Sequence, residues 1–249
     1  MRRLVVALAC RNNGSRLYGK PLQNLDIENR KSILKHLIEC FSEVEVIEEI
    51  VLGISEGVEN QDFIEFSEDN GISYIIGDED DVLSRLISCG IESNATDILR
   101  VTSESPFPMV DLIEEAWNEH IVNDYDASFL DEVVDGCGFE IISLSALKRS
   151  HEKGSERHRS ELCTLYIREN KESFNISFLQ PPEFLIRKDL RLTVDYPEDL
   201  VVCREVYSAL SDQAPTIDLS DVIEFLDSRP DLKKLISPFC EEGYSTMYI

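Results

Sequence analysis

The sequence predicts an α/β fold: a mostly parallel central sheet with helices on both faces. Three observations predict it. Strand-like and helix-like patterns alternate four times over residues 4–122 with short connections, the pattern of βαβ units. Residues 4–9 are continuously apolar, as suits a strand buried on both faces. The 249 residues are 43% hydrophobic and 29% charged, ordinary values for a globular chain long enough to bury its own core.

Each element follows from its local pattern. After the strand at 4–9 comes a polar, Gly-containing loop at 11–19. Residues 32–41 space Ile33, Leu34, Leu37, Ile38 and Phe41 as one helical face. A strand is expected at 49–54. A helix at 59–69 turns Phe63, Ile64 and Phe66 inward and stops at Asn70-Gly71. A third strand at 72–76 precedes a helix at 80–91 that opens with acids, as the helix dipole favours. A fourth strand at 97–102 and a helix at 108–122 with Pro108 near its start complete the alternation. The rhythm then breaks. Strands are expected at 127–130, 139–143, 174–179 and 190–194, and helices at 145–151, 161–170 and 197–210. Two short helical segments at 218–236 part at Arg229-Pro230. Without a linker or repeat, the chain reads as one domain, 1–249, with an elaborated second half.

Charge and cysteine usage narrow the function. The net charge is −25, which argues against nucleic acid or an anionic membrane as a general partner. No apolar run approaches the length of a membrane span, and the residues after the N-terminal apolar stretch, Arg11-Asn12-Asn13, do not suit a signal-peptide cleavage site. The seven cysteines are odd in number and scattered, so a reducing compartment, the cytoplasm, is expected, without a zinc site. The charge is also uneven. Residues 1–35 carry eight Lys or Arg against two acids, whereas residues 36–84 carry fifteen acids and no Lys or Arg.

Open α/β sheets bind ligands beyond the carboxyl ends of their strands. Here those ends are Ala9-Cys10-Arg11, Gly77-Asp78, Thr102-Ser103-Glu104 and Val194-Asp195. One offers cations and a Gly-containing loop; others offer carboxylates. Nucleoside-triphosphate chemistry needs that combination, with donors for phosphate oxygens and acids for Mg²⁺. The loop Arg11-Asn12-Asn13-Gly14-Ser15-Arg16-Leu17-Tyr18-Gly19-Lys20 lacks Walker spacing, yet its amides and three cations could wrap a triphosphate. A surface turn with exposed cations fits the same spacing.

The loop resembles the signature A-R-x-G-S-x-R-L-P-G-K of the spore-coat polysaccharide type of nucleotidyltransferases, relatives of the ketodeoxyoctonate and acylneuraminate cytidylyltransferases. Arg11, Arg16, Leu17, Gly19 and Lys20 match in order. Asn13 stands where the family has Gly, Gly14 comes one place later, and Tyr18 replaces Pro. Leu192-Thr193-Val194-Asp195-Tyr196-Pro197-Glu198-Asp199-Leu200 is similar to the family's L-T-V-D-x-P-E-D-L, and Gly77-Asp78-Glu79-Asp80-Asp81-Val82-Leu83-Ser84-Arg85 to its G-x-E-D-D-V-L-x-R. Ser103-Glu104-Ser105-Pro106 departs from G-D-C-P, with Glu104 in place of the metal-binding Asp. In the second half Glu140 and Glu161 are retained, while Gly138 and Leu162 replace the family's Asp and His; His158 is out of register.

The resemblance spans essentially the whole chain. It implies a GT-A-like three-layer sandwich and Mg²⁺-dependent transfer of CMP from CTP to a sugar or other small acceptor, with release of pyrophosphate. It implies catalytic roles for Arg11, Arg16 and Lys20, and a nucleotide site of Ala9, Arg11, Asn12, Asn13, Gly14, Ser15, Arg16, Lys20, Asp81 and Arg85. Glu104 and Asp195 would hold the metal, and Glu140 and Glu161 the acceptor. Residues 1–124 would form the nucleotide half, and 125–249 the acceptor half and a homodimer contact. A sugar-1-phosphate nucleotidyltransferase using another NTP, and a nucleotide-binding homologue without turnover, are the alternatives.

Overall fold

A computed structural model describes residues 2–14 and 16–247. β1 (Leu4–Cys10) leads through the small hairpin β2 (Asn24–Asp26) and β3 (Lys31–Ser32) to α1 (Ile33–Ser42). Then follow β4 (Ile47–Ser55), α2 (Gln61–Asn70), β5 (Ser73–Gly77), α3 (Val82–Glu92), β6 (Asp97–Arg100) and α4 (Ile113–Val122). The second half supplies β7 (Ala127–Phe129), β8 (Glu140–Ser143), α5 (Leu144–Lys153), α6 (Leu165–Glu169) and β9 (Ile176–Phe178). It ends in α7 (Pro197–Leu210), α8 (Leu219–Ser228) and α9 (Pro230–Met247).

Strands from both halves share one sheet, ordered β5-β4-β1-β6-β8-β7-β9. β1 pairs in parallel with β4 and β6, and β4 with β5. β8 runs antiparallel to both β6 and β7, while β9 is parallel to β7. The predicted fold class is therefore borne out. β1 shows why its sequence is continuously apolar: Leu4, Val6 and Leu8 enter one core with α1, α4 and α7, whereas Val5 and Ala7 enter the other with α3 and α5. Each fully buried Leu or Val side chain contributes about 1.5–3 kcal/mol, so this strand anchors both layers.

Local signals set the helix ends. The Ser32 hydroxyl accepts from the Lys35 amide, Asp81 caps α3 through the Ser84 amide, and Gly71 closes α2 in the left-handed region at φ 65°. Four expectations change. Residues 190–194 are not a strand: only an isolated bridge joins Arg191 to Asp135. The segment is buried on all sides, which gives it a strand-like composition, but its amides bond to separate places, Leu192 to the Asp135 carbonyl and Val194 to the Glu104 carbonyl. The helix expected from 161 begins at Leu165, and that expected from 108 is a 3-10 turn followed by α4. The last helix continues through Pro238 to Met247. No described helix is long and apolar enough to cross a membrane. All seven cysteines are unpaired and buried.

Candidate functional site

The loop after β1 is held from inside. Asn12 is buried; its amide donates to Asn60 Oδ1 at 2.7 Å and its side-chain Nδ2 to the Glu59 carbonyl. The Gly19 amide returns to the Asn12 carbonyl at 3.0 Å, with Gly19 at φ 58°. At Gly14 a Cβ would come within 2.4 Å of the Leu17 carbonyl oxygen, so the fold-back needs glycine there. Ser15, expected among the nucleotide ligands, lies outside the described residues.

This fold-back aims the loop's cations at the other end of the chain. Lys20 Nζ lies 2.5 Å from Asp195 Oδ1, and an Arg16 terminal nitrogen 3.3 Å from the same oxygen. The Arg16 guanidinium lies over the Tyr196 ring, 4.9 Å from its centroid, and Tyr196 stacks on Phe239 of α9. From behind, the buried Arg191 reaches Asp195, Asp135 and Asp199 at once. Burial raises the Asp195 carboxyl, but Lys20, Arg191 and Arg16 outweigh it and hold the group below its ordinary value. Asp199 also accepts from the amides of Asp195 and Tyr196, both at 2.9 Å, so it fixes the start of α7 and the backbone carrying Asp195.

Glu104 follows β6. Its carbonyl accepts from the Val194 amide at 3.1 Å, which brings the Glu104 and Asp195 segments side by side. Among the described residues no cation lies within ion-pair distance of its carboxylate, which accepts from Ser103 Oγ at 3.3 Å. Burial raises the Glu104 carboxyl; Lys20 works against this and the Asp195 charge adds to it.

These groups border two joined chambers. The smaller, about 190 Å³, is lined by Ala9, residues 11–14, Arg16, Leu17 and Lys20 of the loop, Arg85 and residues 100–104. The larger, about 580 Å³, extends between the ends of β6 and β8 and the Asp195–Tyr196 corner to α9. Arg16, Glu104 and Glu161 line both.

Other expected residues take varied places. Arg85 is buried at the back of the smaller chamber, donating to the carbonyls of Cys10 at 3.2 Å and Gly53 at 3.0 Å; burial lowers its pKa. It thus clamps the ends of β1 and β4. Asp81 is outside both linings; it caps α3 and receives His151 Nε2 at 2.7 Å. Asn13 faces the smaller chamber and reaches Glu59 at 3.3 Å. Glu140 is in the wall of the larger chamber, tied to Arg100 at 2.7 Å, Arg168 at 2.9 Å and Thr164 at 2.7 Å. Burial opposes its charge, yet Arg100 and Arg168 bring its pKa down to about 2. Glu161 is exposed and pairs with Arg11 at 2.5 Å. His158 is bound locally to Ser155 and Glu169.

Sequence reasoning missed Arg191, Asp135 and the Arg168–Asp131 pair. The one available signal was Arg191 itself, a lone cation within the apolar run 190–194.

No family model matches the chain. It is 25% identical over 242 residues to an uncharacterized protein of Methanocaldococcus jannaschii, covering 97% of this chain and 98% of the relative. It is 24% identical over 233 residues to the spore coat polysaccharide biosynthesis protein SpsF of Bacillus subtilis, covering 93% and 97%. Among solved structures, a cytidylyltransferase from Leptospira borgpetersenii superposes with TM-score 0.83 at 22% identity, covering 93% of this chain and 97% of that one. The synthetase for CMP-2-keto-3-deoxy-manno-octonic acid, solved with CTP, superposes with TM-score 0.60 at 14% identity, covering 83% and 99%. The structural likeness gives the fold. The sequence likeness to the spore coat polysaccharide biosynthesis protein runs over nearly the full length of both chains, including the loop after β1 and the Asp195 segment of this one.

Proposed function

We propose that the protein is a Mg²⁺-dependent nucleotidyltransferase that moves CMP from CTP to a small acceptor, in the cytoplasm and for glycan synthesis. One observation carries the reading: the loop cations Arg11, Arg16 and Lys20 line one cleft with Glu104 and Asp195 at the carboxyl end of β1, and Arg16 and Lys20 pair with Asp195. The two relatives with cytidylyl chemistry in their names favour CTP. The smaller chamber is assigned to the nucleotide and the larger to the acceptor, with residues 1–124 and 125–249 as the respective halves of one domain. Homodimer formation belongs to the same proposal.

The donor set suits Mg²⁺. Two carboxylates on adjoining segments, one without a cation partner among the described residues, match an ion usually held by one or two protein carboxylates plus substrate phosphates. Asp195 and Glu104 would hold it, and bound there it would supply charge stabilisation on phosphate oxygens. The chain's own contribution is position and charge. Arg11, Arg16 and Lys20 bind the triphosphate and stabilise the departing pyrophosphate. Lys20 exchanges its Asp195 contact for phosphate oxygen, while Arg191 keeps Asp195 in place. An acceptor oxygen attacks the α-phosphorus. The new O–P bond forms as the bond to the bridging oxygen of the β-phosphate breaks. Pyrophosphate leaves, and a hydroxyl acceptor gives its proton to solvent. No protein nucleophile is required.

Thermal shift with CTP, GTP, UTP and ATP, each with and without Mg²⁺, tests this. A ligand at a hundred times its Kd stabilises by about 2.7 kcal/mol. A Mg²⁺-dependent shift with CTP is expected; no shift with any nucleotide removes the proposal.

A further inference from the structure

The larger chamber is rich in arginine, which suggests at first sight a site for an acidic acceptor. Its ion pairs argue otherwise. Arg168 is engaged bidentately by Asp131, at 2.6 and 3.0 Å, and by Glu140. Arg100 donates to Glu140 and to the Glu161 carbonyl, both at 2.7 Å. Arg191 is enclosed by Asp135, Asp195 and Asp199. Arg16 is shared between Asp195 and Tyr196. Among the described residues, every guanidinium of the lining is thus committed to a carboxylate of the protein, and the lining holds four arginines against six carboxylates.

One of those carboxylates is accessible. The Glu161 side chain is 72% exposed, against 10% for Glu140 and 15% for Asp131. Its cation is Arg11, a residue of the triphosphate loop. A bound triphosphate competes for Arg11 with several negative charges, leaving Glu161 as an uncompensated carboxylate where the two chambers meet.

We propose that the acceptor carries a protonated amine that Glu161 receives, and that it bears no carboxylate in this chamber. The inference rests on the reading of the cleft as a nucleotidyltransferase site. A carboxylate entering here must break an existing ion pair and face the excess of acids. An ammonium group meets neither cost.

The test loads the full chain with Mg²⁺ and a CTP analogue whose α,β-bridging oxygen is a methylene group, then titrates sugar 1-phosphates. The probes are glucose 1-phosphate, its 2-amino and 6-amino counterparts, and glucuronic acid 1-phosphate. Analogue binding alone reports on the proposed function; the ranking of the probes reports on this inference. At least one amine is expected to bind about tenfold more tightly than glucose 1-phosphate, with the uronate weakest. Glu161→Gln is expected to reduce that amine preference several-fold. The proposal is overturned if neither amine binds more tightly than glucose 1-phosphate, if the uronate ranks first, or if Glu161→Gln leaves the preference unchanged.

Discussion

The Lys20 ammonium lies 2.5 Å from Asp195 Oδ1, although 175 residues separate them in the chain. The contact joins the loop after β1 to the corner that starts α7. It places a cation of the β1 loop against the Asp195 carboxylate, so both halves of the cleft can be probed at one point.

Lys20→Ala should weaken CTP binding by about 1.5–3 kcal/mol, the range for a hydrogen bond to a charged group. Isothermal titration with CTP and Mg²⁺ measures this. Unchanged affinity excludes the loop from the triphosphate site.

Asp195→Asn should abolish Mg²⁺-dependent pyrophosphate release while the fold persists. Arg191 retains Asp135 and Asp199 as partners in that variant, so no buried cation is left alone. Circular dichroism and pyrophosphate release are to be measured on the same sample. Full activity refutes the metal assignment.

Arg191→Met should destabilise the protein by about 3–5 kcal/mol, because it leaves Asp135 and Asp199 buried without their cation. Urea unfolding gives the value. A loss below about 1 kcal/mol, the scale of a surface pair, would mean that the three carboxylates do not depend on Arg191.

His36 makes stability fall with acid. It is buried in edge-to-face contact with Phe107 and Tyr207, and burial, with help from Lys31, lowers its pKa from 6.5 to about 4. The unfolded chain therefore takes up a proton that the folded chain refuses. Stability from the neutral ring is complete above pH 6.5 and is lost as pH falls toward 4. Between pH 7 and 5 the loss should be about 2 kcal/mol, and His36→Gln should remove that slope. Equal slopes for the two proteins would contradict a buried neutral His36.

Where local pattern and tertiary environment agree, the elements were legible. The apolar run of β1, the Ser32 and Asp81 caps and the Asn70-Gly71 stop each encode a local preference that the fold uses. The run 190–194 has the composition of a strand without being one, because burial on all sides and burial within a sheet select the same residues; only hydrogen-bond partners distinguish them. Arg11, Arg16, Lys20, Glu104 and Asp195 were named from motifs, and all five line the cleft. Asp81 was named from a motif too, but its carboxylate is used in capping α3. Glu140 and Glu161 were named together, yet one is locked in ion pairs and the other is exposed.

By itself, the sequence determined the α/β alternation, the cation-bearing loop and the acidic residues available to face it, because propensity, apolar period and motif spacing act over short stretches of chain. Only the tertiary structure decided which carboxylate each cation meets. Ion pairs depend on distance and burial, and the contacts of Lys20 with Asp195 and of Arg191 with Asp135 exist only once the β1 loop, the turn before β8 and the start of α7 pack together.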